Sequence, residues 1–150
     1  MRVVIQRVKE ASVTIESRIK SAITEGLLIL VGVEDIDTEE EINWLAAKIA
    51  NLRIFSDEND LMNRSVMDIQ GETLVVSQFT LHASTKKGNR PSFLKAAKPD
   101  FAVPMYERFV EELKKISQLK VLTGEFGADM KVALLNDGPV TIVMDTKNKE

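Results

Sequence analysis

The chain has no cysteine and a single histidine, His82, among its 150 residues. The absence of cysteine excludes disulfides, thiolate nucleophiles, iron–sulfur clusters and cysteine-based zinc sites. One histidine cannot form a two-histidine metal site, and a Ser-His-Asp triad would have to be built around His82. If the chain is an enzyme, we therefore expect it to use hydroxyls, carboxylates, amides or backbone groups, with no metal.

The chain also has no excess of basic residues and no long hydrophobic run. Its 20 Lys and Arg face 23 Asp and Glu, a net charge of -3, so only a local nucleic-acid contact is expected. The longest apolar run, residues 26–33, is far shorter than the roughly 20 residues of a membrane helix. A charge at Arg2 comes too early for the apolar region of a signal peptide. These features predict a cytoplasmic protein that neither enters membranes nor binds DNA.

Length and composition predict one domain over residues 1–150, with residues 147–150 as a frayed polar tail. Apolar residues alternate with polar ones near both ends of the chain, which is typical of half-buried strands. Helix starts are expected near Thr38 and Asp100. The pattern predicts an α+β fold in which a curved, largely antiparallel or mixed, barrel-like sheet carries two flanking helices.

Two details of this pattern can be compared directly with a structure. The second helix is expected to bury Phe101, Met105, Phe109, Leu113 and Ile116. Strands are expected at residues 130–135 and 140–145, joined by a hairpin turn at residues 136–139, because Asp-Gly between strands is a strong turn signal. Trp44 lies opposite the buried stripe of the first helix, where a partly exposed position is favoured over an interface.

Ser77, Gln78 and Thr80 form a polar group at the end of an apolar strand. Such residues line a pocket or simply end the strand, and their spacing alone favours the second interpretation. His82 would share a face with Thr80 if the strand continued, which makes a Thr–His nucleophile pair conceivable. No third group for such a pair is indicated.

A basic island follows directly. Residues 73–99 contain no acidic residue, whereas Lys86, Lys87 and Arg90 stand close together in a predicted loop. The loop is either a solvated surface or a phosphate-binding segment. Its position beside the polar strand end favours binding of an RNA end or of a phosphorylated small molecule.

The segments SQFTL (from Ser77), KKGNRPSF (from Lys86) and NDGPVT (from Asn136) occur in this order and at this spacing. Together with MRVVIQRV, GLLILVGVE, NLRIFSDEN and FGADMKVALL they identify a resemblance to the D-aminoacyl-tRNA deacylase family. This resemblance spans residues 1–146. The chain departs from the family pattern at His82, more often tyrosine, and at Ser84, more often aspartate.

The resemblance implies a homodimer with its active sites at the subunit interface and without a metal or organic cofactor. A cis Gly138–Pro139 dipeptide of one subunit would enter the partner's site and reject L-aminoacyl groups. The implied residues are catalytic Ser77, Gln78, Phe79 and Thr80; substrate-binding Gly138, Pro139, Asn136, Met130, Thr141 and His82; tRNA-binding Lys86, Lys87 and Arg90; and Arg7 as a support of the dipeptide or the member of a surface salt bridge.

Ester hydrolysis passes through an oxyanion, for which the backbone amides of Phe79 and Thr80 are the candidate donors. Thr80 is then either the nucleophile or a positioning group for water assisted by the ribose hydroxyl, and we prefer the second. The implied substrate is D-aminoacyl-tRNA, with glycyl-tRNA as a further candidate. Two alternatives are a non-catalytic module that binds RNA ends and a small-molecule hydrolase that uses Thr80 and His82.

Overall fold

The computed structural model describes residues 1–149. Its strands are β1 (Arg2–Ile15), β2 (Arg18–Ile23), β3 (Gly26–Gly32), β4 (Phe55–Ser56), β5 (Met62–Arg64), β6 (Glu72–Ser77), β7 (Val121–Thr123) and β8 (Lys131–Asp145). Its helices are α1 (Glu39–Ala50), α2 (Pro99–Ser117) and a 3-10 turn (Phe79–His82).

The long strand β1 organises the main sheet, whose order is β2-β1-β3-β6-β7. The first half of β1 pairs antiparallel with β3 and the second half with β2, while β8 runs antiparallel along its other edge. Strands β3, β6 and β7 are parallel to each other. Because one strand is shared in this way, the mixed sheet curls into a nearly closed barrel with two helices. The predicted fold class is confirmed.

The core lies on both faces of β3, as its continuous apolar sequence indicates. Leu27 and Ile29 belong to the larger cluster, which includes the buried stripe of α1, whereas Leu28 belongs to a smaller cluster with Leu74 and Val13. This double burial fixes the neighbouring strand β6, and therefore fixes the point at which the SQFTL segment leaves the sheet.

Helix α2 buries a face that differs from the predicted one by about one residue. Tyr106 is buried along with Phe109 and Leu113, whereas Phe101 and Met105 are only partly buried. Tyr106 can be buried because its hydroxyl donates a hydrogen bond to the Val75 carbonyl at 2.9 Å. Hydrophobic periodicity alone gives no sign of such a bond.

The predicted C-terminal hairpin is wrong. Strand β8 runs without reversal from Lys131 to Asp145, and both of its halves pair with β1. Asp137 is not among the residues with positive φ, so the type I′ turn favoured by Asp-Gly does not form. The register shifts opposite Arg7 instead, and the Asn136 side-chain oxygen accepts a hydrogen bond from the Val140 amide at 2.9 Å across the resulting bulge.

The polar tail after β8 makes contacts with α1 and its neighbourhood. Lys147 pairs with Glu41, and the ammonium of Lys149 lies 4.7 Å from the centre of the partly buried Trp44 ring. Glu150, the last residue of the predicted frayed tail, lies outside the described residues. No helix in residues 1–149 has both the length and the apolar character to cross a membrane.

Candidate active site

The segment of residues 77–80, here called the SQFT turn, carries the chain from β6 into the 3-10 turn. The Gln78 amide donates to the Val31 carbonyl at 2.7 Å, which holds the turn against the end of β3. The next two amides, of Phe79 and Thr80, have no hydrogen-bond acceptor in residues 1–149, as expected at the start of a helical turn. Phe79 and Thr80 are both exposed residues, so these two amides are the candidate donors for an oxyanion.

The Thr80 hydroxyl has a donor beside it, and in residues 1–149 no base is hydrogen-bonded to it. The Gln78 side-chain amide donates to this hydroxyl at 2.5 Å. His82 does not share a face with Thr80, because the chain turns into the 3-10 helix rather than continuing as a strand. The His82 side chain is fully buried, so the Thr–His pair is not formed and no surface of the imidazole is open to a substrate.

A cleft of about 280 Å³ lies beside the SQFT turn, and Ser77, Gln78 and Phe79 form one wall of it. Met130, a predicted substrate contact, also lines the cleft. Residues 126–129, which sequence reasoning left without a role, line it as well. The sequence feature that could have indicated these residues is the segment FGAD, which directly precedes Met130.

The basic loop, residues 86–90, is fastened next to this cleft. Its three cations are exposed, as expected for phosphate contacts. Two backbone hydrogen bonds between Ser84 and Ser92, of 2.8 and 2.9 Å, close the base of the loop. Phe93 then packs edge-on against Phe79, with ring centres 5.1 Å apart. The segment that carries the three cations is therefore packed, through Phe93, against Phe79 of the SQFT turn.

The Gly138–Pro139 peptide bond is cis, the isomer that the resemblance implies. Arg7 supports this dipeptide from β1, since its guanidinium donates to the carbonyls of Asp137 at 2.9 Å and Ile54 at 2.6 Å. Its Nε also lies 3.4 Å from the Asp137 carboxylate, so Arg7 combines support of the backbone with an ion pair.

Asn136 and Thr141 flank the dipeptide on either side. The Asn136 side-chain amide donates to the Thr141 hydroxyl at 3.1 Å and thus ties together the two ends of the bulge. In this chain both side chains stabilise the bulge, and the dipeptide itself stays exposed at its outer surface.

The SQFT turn and the Gly138–Pro139 dipeptide do not meet within one chain. The turn is anchored at Val31, opposite Val3, whereas the dipeptide lies opposite Arg7. Val3 and Arg7, which mark these two levels along β1, are four residues apart, or roughly 13 Å along the strand. The two segments also lie on opposite sides of β1, since β8 borders one edge and β3 the other.

The sequence matches the family model described as D-Tyr-tRNA(Tyr) deacylase over residues 4–145. The chain belongs to the D-aminoacyl-tRNA deacylase family. It is 67% identical to the D-aminoacyl-tRNA deacylase of Flavobacterium johnsoniae and 66% identical to that of Parabacteroides distasonis, each over the full length of both chains.

Two solved structures have the same fold. A c-Myc DNA unwinding element binding protein superposes with a TM-score of 0.91 at 44% identity, covering 97% of this chain and 98% of its own. A probable eukaryotic D-amino acid tRNA deacylase has a TM-score of 0.82 at 16% identity, covering 95% and 97%.

The activity of this family is the hydrolysis of the ester that links a D-amino acid to tRNA, a proofreading step in translation. This activity removes the two alternative interpretations, the non-catalytic module and the hydrolase based on a Thr–His pair. The exposed donors of the SQFT turn suit such an ester, because hydrolysis places negative charge on its carbonyl oxygen.

Proposed function

We propose that the protein acts as a homodimer in which each active site combines the SQFT turn of one subunit with the Gly138–Pro139 dipeptide of the other. The observation that carries this proposal is the separation of the two segments within one chain. Both segments belong to the motifs that define the resemblance, yet they lie at different levels and on opposite sides of β1. A second copy of the chain can bring them together.

The free edge of β8 supports such an assembly. Within residues 1–149, β1 is the only strand that pairs with β8, and apart from a bridge between Asp145 and Asn148 the other edge of this 15-residue strand is open. Apolar side chains lie exposed along it: Leu134 is 38% exposed, Leu135 56% and Val143 64%. Long apolar edge strands invite pairing with another chain. The dipeptide lies in the middle of this strand, so an interface there would carry it into the partner.

We assign the residue roles in this site as follows, on the support of the contacts around the SQFT turn. The amides of Phe79 and Thr80 bind the oxyanion, and Gln78 orients the Thr80 hydroxyl through their hydrogen bond. Ser77 and Met130 line the cleft that receives the aminoacyl-adenosine end. Water attacks the ester carbon with the help of the neighbouring ribose hydroxyl, and Thr80 positions the reacting groups.

Rejection of L-aminoacyl groups is assigned to the backbone of the dipeptide. D and L esters differ only in the arrangement of hydrogen and side chain at one carbon. Backbone held by Arg7 and by the Asn136–Thr141 pair cannot move aside as a side-chain rotamer can. Glycyl-tRNA has no side chain to reject, so we include it among the substrates of this site.

The basic loop takes phosphates of the tRNA acceptor end. Lys86, Lys87 and Arg90 are exposed and adjacent to Phe79 through the Phe93 contact. Phosphate contacts of this kind position a nucleic acid without reading its sequence. Because the substrate is aminoacylated tRNA, we place the protein in the cytoplasm.

Subunit mixing tests the cross-subunit site. A Gln78→Ala chain and a Gly138→Ala chain carry different affinity tags, and the mixed dimer is isolated by two successive purifications. Each parent dimer should hydrolyse D-Tyr-tRNA poorly. The mixed dimer contains one site with both defects and one intact site, so it should recover about half of the wild-type activity.

The opposite architecture predicts a different result. If each chain held a complete site, the mixed dimer would contain one defect in each site and would stay as inactive as its parents. Assays with D-Tyr-tRNA, L-Tyr-tRNA and glycyl-tRNA on the wild-type protein complete the test. Turnover of the L ester at the D rate would contradict the role of the dipeptide.

A further inference from the structure

A buried imidazole lies directly beneath the SQFT turn. His82 is at the end of the 3-10 turn that begins with Phe79, and its side chain has no exposed surface. In residues 1–149, neither of its ring nitrogens has a hydrogen-bond partner. A buried polar group without a partner costs free energy, so an apolar side chain would fill this place more cheaply if packing were its only role.

Gly32 makes room for this imidazole and for the turn together. A Cβ on Gly32 would lie 2.9 Å from His82 Cδ2 and 3.0 Å from both His82 Nε2 and the Gln78 carbonyl oxygen. The ring and the first carbonyl of the 3-10 turn therefore share the space that the missing side chain leaves. The imidazole therefore borders the same small space as the backbone that leads to the amides of Phe79 and Thr80.

A carboxylate faces the ring from the loop after β3. Glu34 Oε1 lies 3.5 Å from His82 Nδ1, and the Glu34 side chain is only 16% exposed. At this distance a small approach of the two groups forms a hydrogen bond, which would fix both the ring orientation and the nitrogen that carries the proton. Arg2 braces the same turn from the other side, because its guanidinium donates to the Leu81 carbonyl at 2.7 Å.

We propose that His82, oriented by Glu34, is a positioning residue. It holds the SQFT turn where the free amides of Phe79 and Thr80 can reach the oxyanion. His82 does not touch the substrate. It acts through the Gln78 carbonyl and the 3-10 backbone. This inference rests on the proposed role of the SQFT turn in catalysis.

The test compares His82→Leu, His82→Asn and Glu34→Gln, with Asp35→Asn as an exposed neighbouring carboxylate that should change nothing. Initial rates on D-Tyr-tRNA give kcat and KM, and thermal unfolding gives the midpoint. We expect His82→Leu to lower kcat about tenfold, because small misplacements of catalytic groups have effects of this size. KM should stay within about twofold, since the groups that touch the substrate are intact.

The other variants separate positioning from packing. In His82→Asn the side-chain amide can still face Glu34 from near the Nδ1 position. This variant should therefore keep most of the kcat that His82→Leu loses. Glu34→Gln should lower kcat in the same direction. The unfolding midpoint of His82→Leu should change little, because the substitution removes two nitrogens without hydrogen bonds but also removes the imidazole that faces the Glu34 carboxylate.

Two results would overturn the proposal, and they differ from failure of the site itself. Turnover of His82→Leu within twofold of wild type would show that the imidazole only fills space. Equal kcat losses in His82→Leu and His82→Asn, together with lowered midpoints in both, would show a structural role alone. If Gln78→Ala kept full turnover, the SQFT turn would not be the catalytic site. The proposed role of His82 would then be wrong as well.

Discussion

The hydroxyl of Thr80 accepts a hydrogen bond from Gln78, and the single histidine of the chain is buried away from it. A threonine nucleophile needs a base to take its proton, and within the described part of the chain no side-chain base is hydrogen-bonded to Thr80. We therefore expect Thr80→Ala to keep turnover of D-Tyr-tRNA within about tenfold of wild type, the effect of removing a positioning group. Single-turnover rates measure the effect.

Thr80→Ser is the matched control for this substitution, since it keeps the hydroxyl and should lie closer to wild type than Thr80→Ala. Acid quenching during turnover, followed by mass spectrometry, searches for a covalent intermediate. An aminoacyl adduct on Thr80, or complete loss of activity in Thr80→Ala, would make Thr80 the nucleophile.

Gly138 has a φ of +128°, and a Cβ there would lie 2.9 Å from both Arg7 Nη2 and Val140 Cγ2. We expect Gly138→Ala to lower the free energy of unfolding by about 1–3 kcal/mol through backbone strain. It should also reduce D-Tyr-tRNA turnover, because the added methyl group displaces the dipeptide. Denaturant unfolding and initial rates measure the two effects.

Gly88 is a matched control, because its φ is +78° and, in residues 1–149 outside its two chain neighbours, no heavy atom lies within 4 Å of the Cβ position. Gly88→Ala therefore carries backbone strain without crowding and should leave turnover on a minimal aminoacyl-adenosine ester unchanged. Full activity of Gly138→Ala on D-Tyr-tRNA would argue against a substrate-facing dipeptide.

At the scale of an element, the role proposed for the basic loop predicts that tRNA binding can be weakened separately from ester chemistry. Replacing Lys86, Lys87 and Arg90 by Gln should weaken tRNA binding and reduce the salt dependence of the affinity by about one slope unit for each phosphate that is no longer bound. Hydrolysis of aminoacyl-adenosine should change little. Lys20→Gln on β2 is the control cation, and an equal decrease on both substrates would place the loop inside the pocket.

The elements predicted from sequence are those whose pattern is local. Helix α1 begins after Thr38 with Glu41 completing a capping box, and β3 is buried on both faces, as their sequences indicate. The hairpin at Asp137 was predicted wrongly because β8 obtains its hydrogen bonds from the distant strand β1. The position of His82 was missed for a related reason: the 3-10 turn replaces an extended strand end, and hydrophobic periodicity does not report that change.

At the scale of the whole molecule, a buried carboxylate joins α1 to the end of the chain. Glu41 accepts hydrogen bonds from the Thr146 hydroxyl at 2.8 Å and from the Thr38 amide at 2.9 Å, and it pairs with Lys147. Burial by itself would raise the pKa of Glu41, but these partners more than offset it and hold the pKa below the ordinary value of 4.5.

This lowered pKa predicts a pH-dependent contribution to stability. Because the folded state favours the ionised form, the contribution is complete above pH 4.5 and is lost as the pH falls through the lower pKa of the folded state. Glu41→Gln should therefore destabilise the protein near pH 7 by about 1–3 kcal/mol and much less under acid conditions. Urea unfolding across this range, with Glu40→Gln as an exposed control, measures the difference. A constant difference at every pH would contradict the interpretation.

The two-chain active site proposed above follows from no local pattern in the sequence; only the family resemblance implies it. The SQFT turn and the dipeptide have intact motifs, and only their levels on β1 show that one chain keeps them apart. Assembly through the open edge of β8 should therefore be a condition for activity. Val143→Lys places a charge on an exposed position of that edge, and edge lysines oppose strand pairing. We expect this variant to sediment as a monomer that keeps its secondary structure and loses turnover of D-Tyr-tRNA. Ile19→Lys, at an equally exposed position on β2, should remain dimeric and active. A Val143→Lys monomer with full D-selective activity would show that one chain contains the complete site.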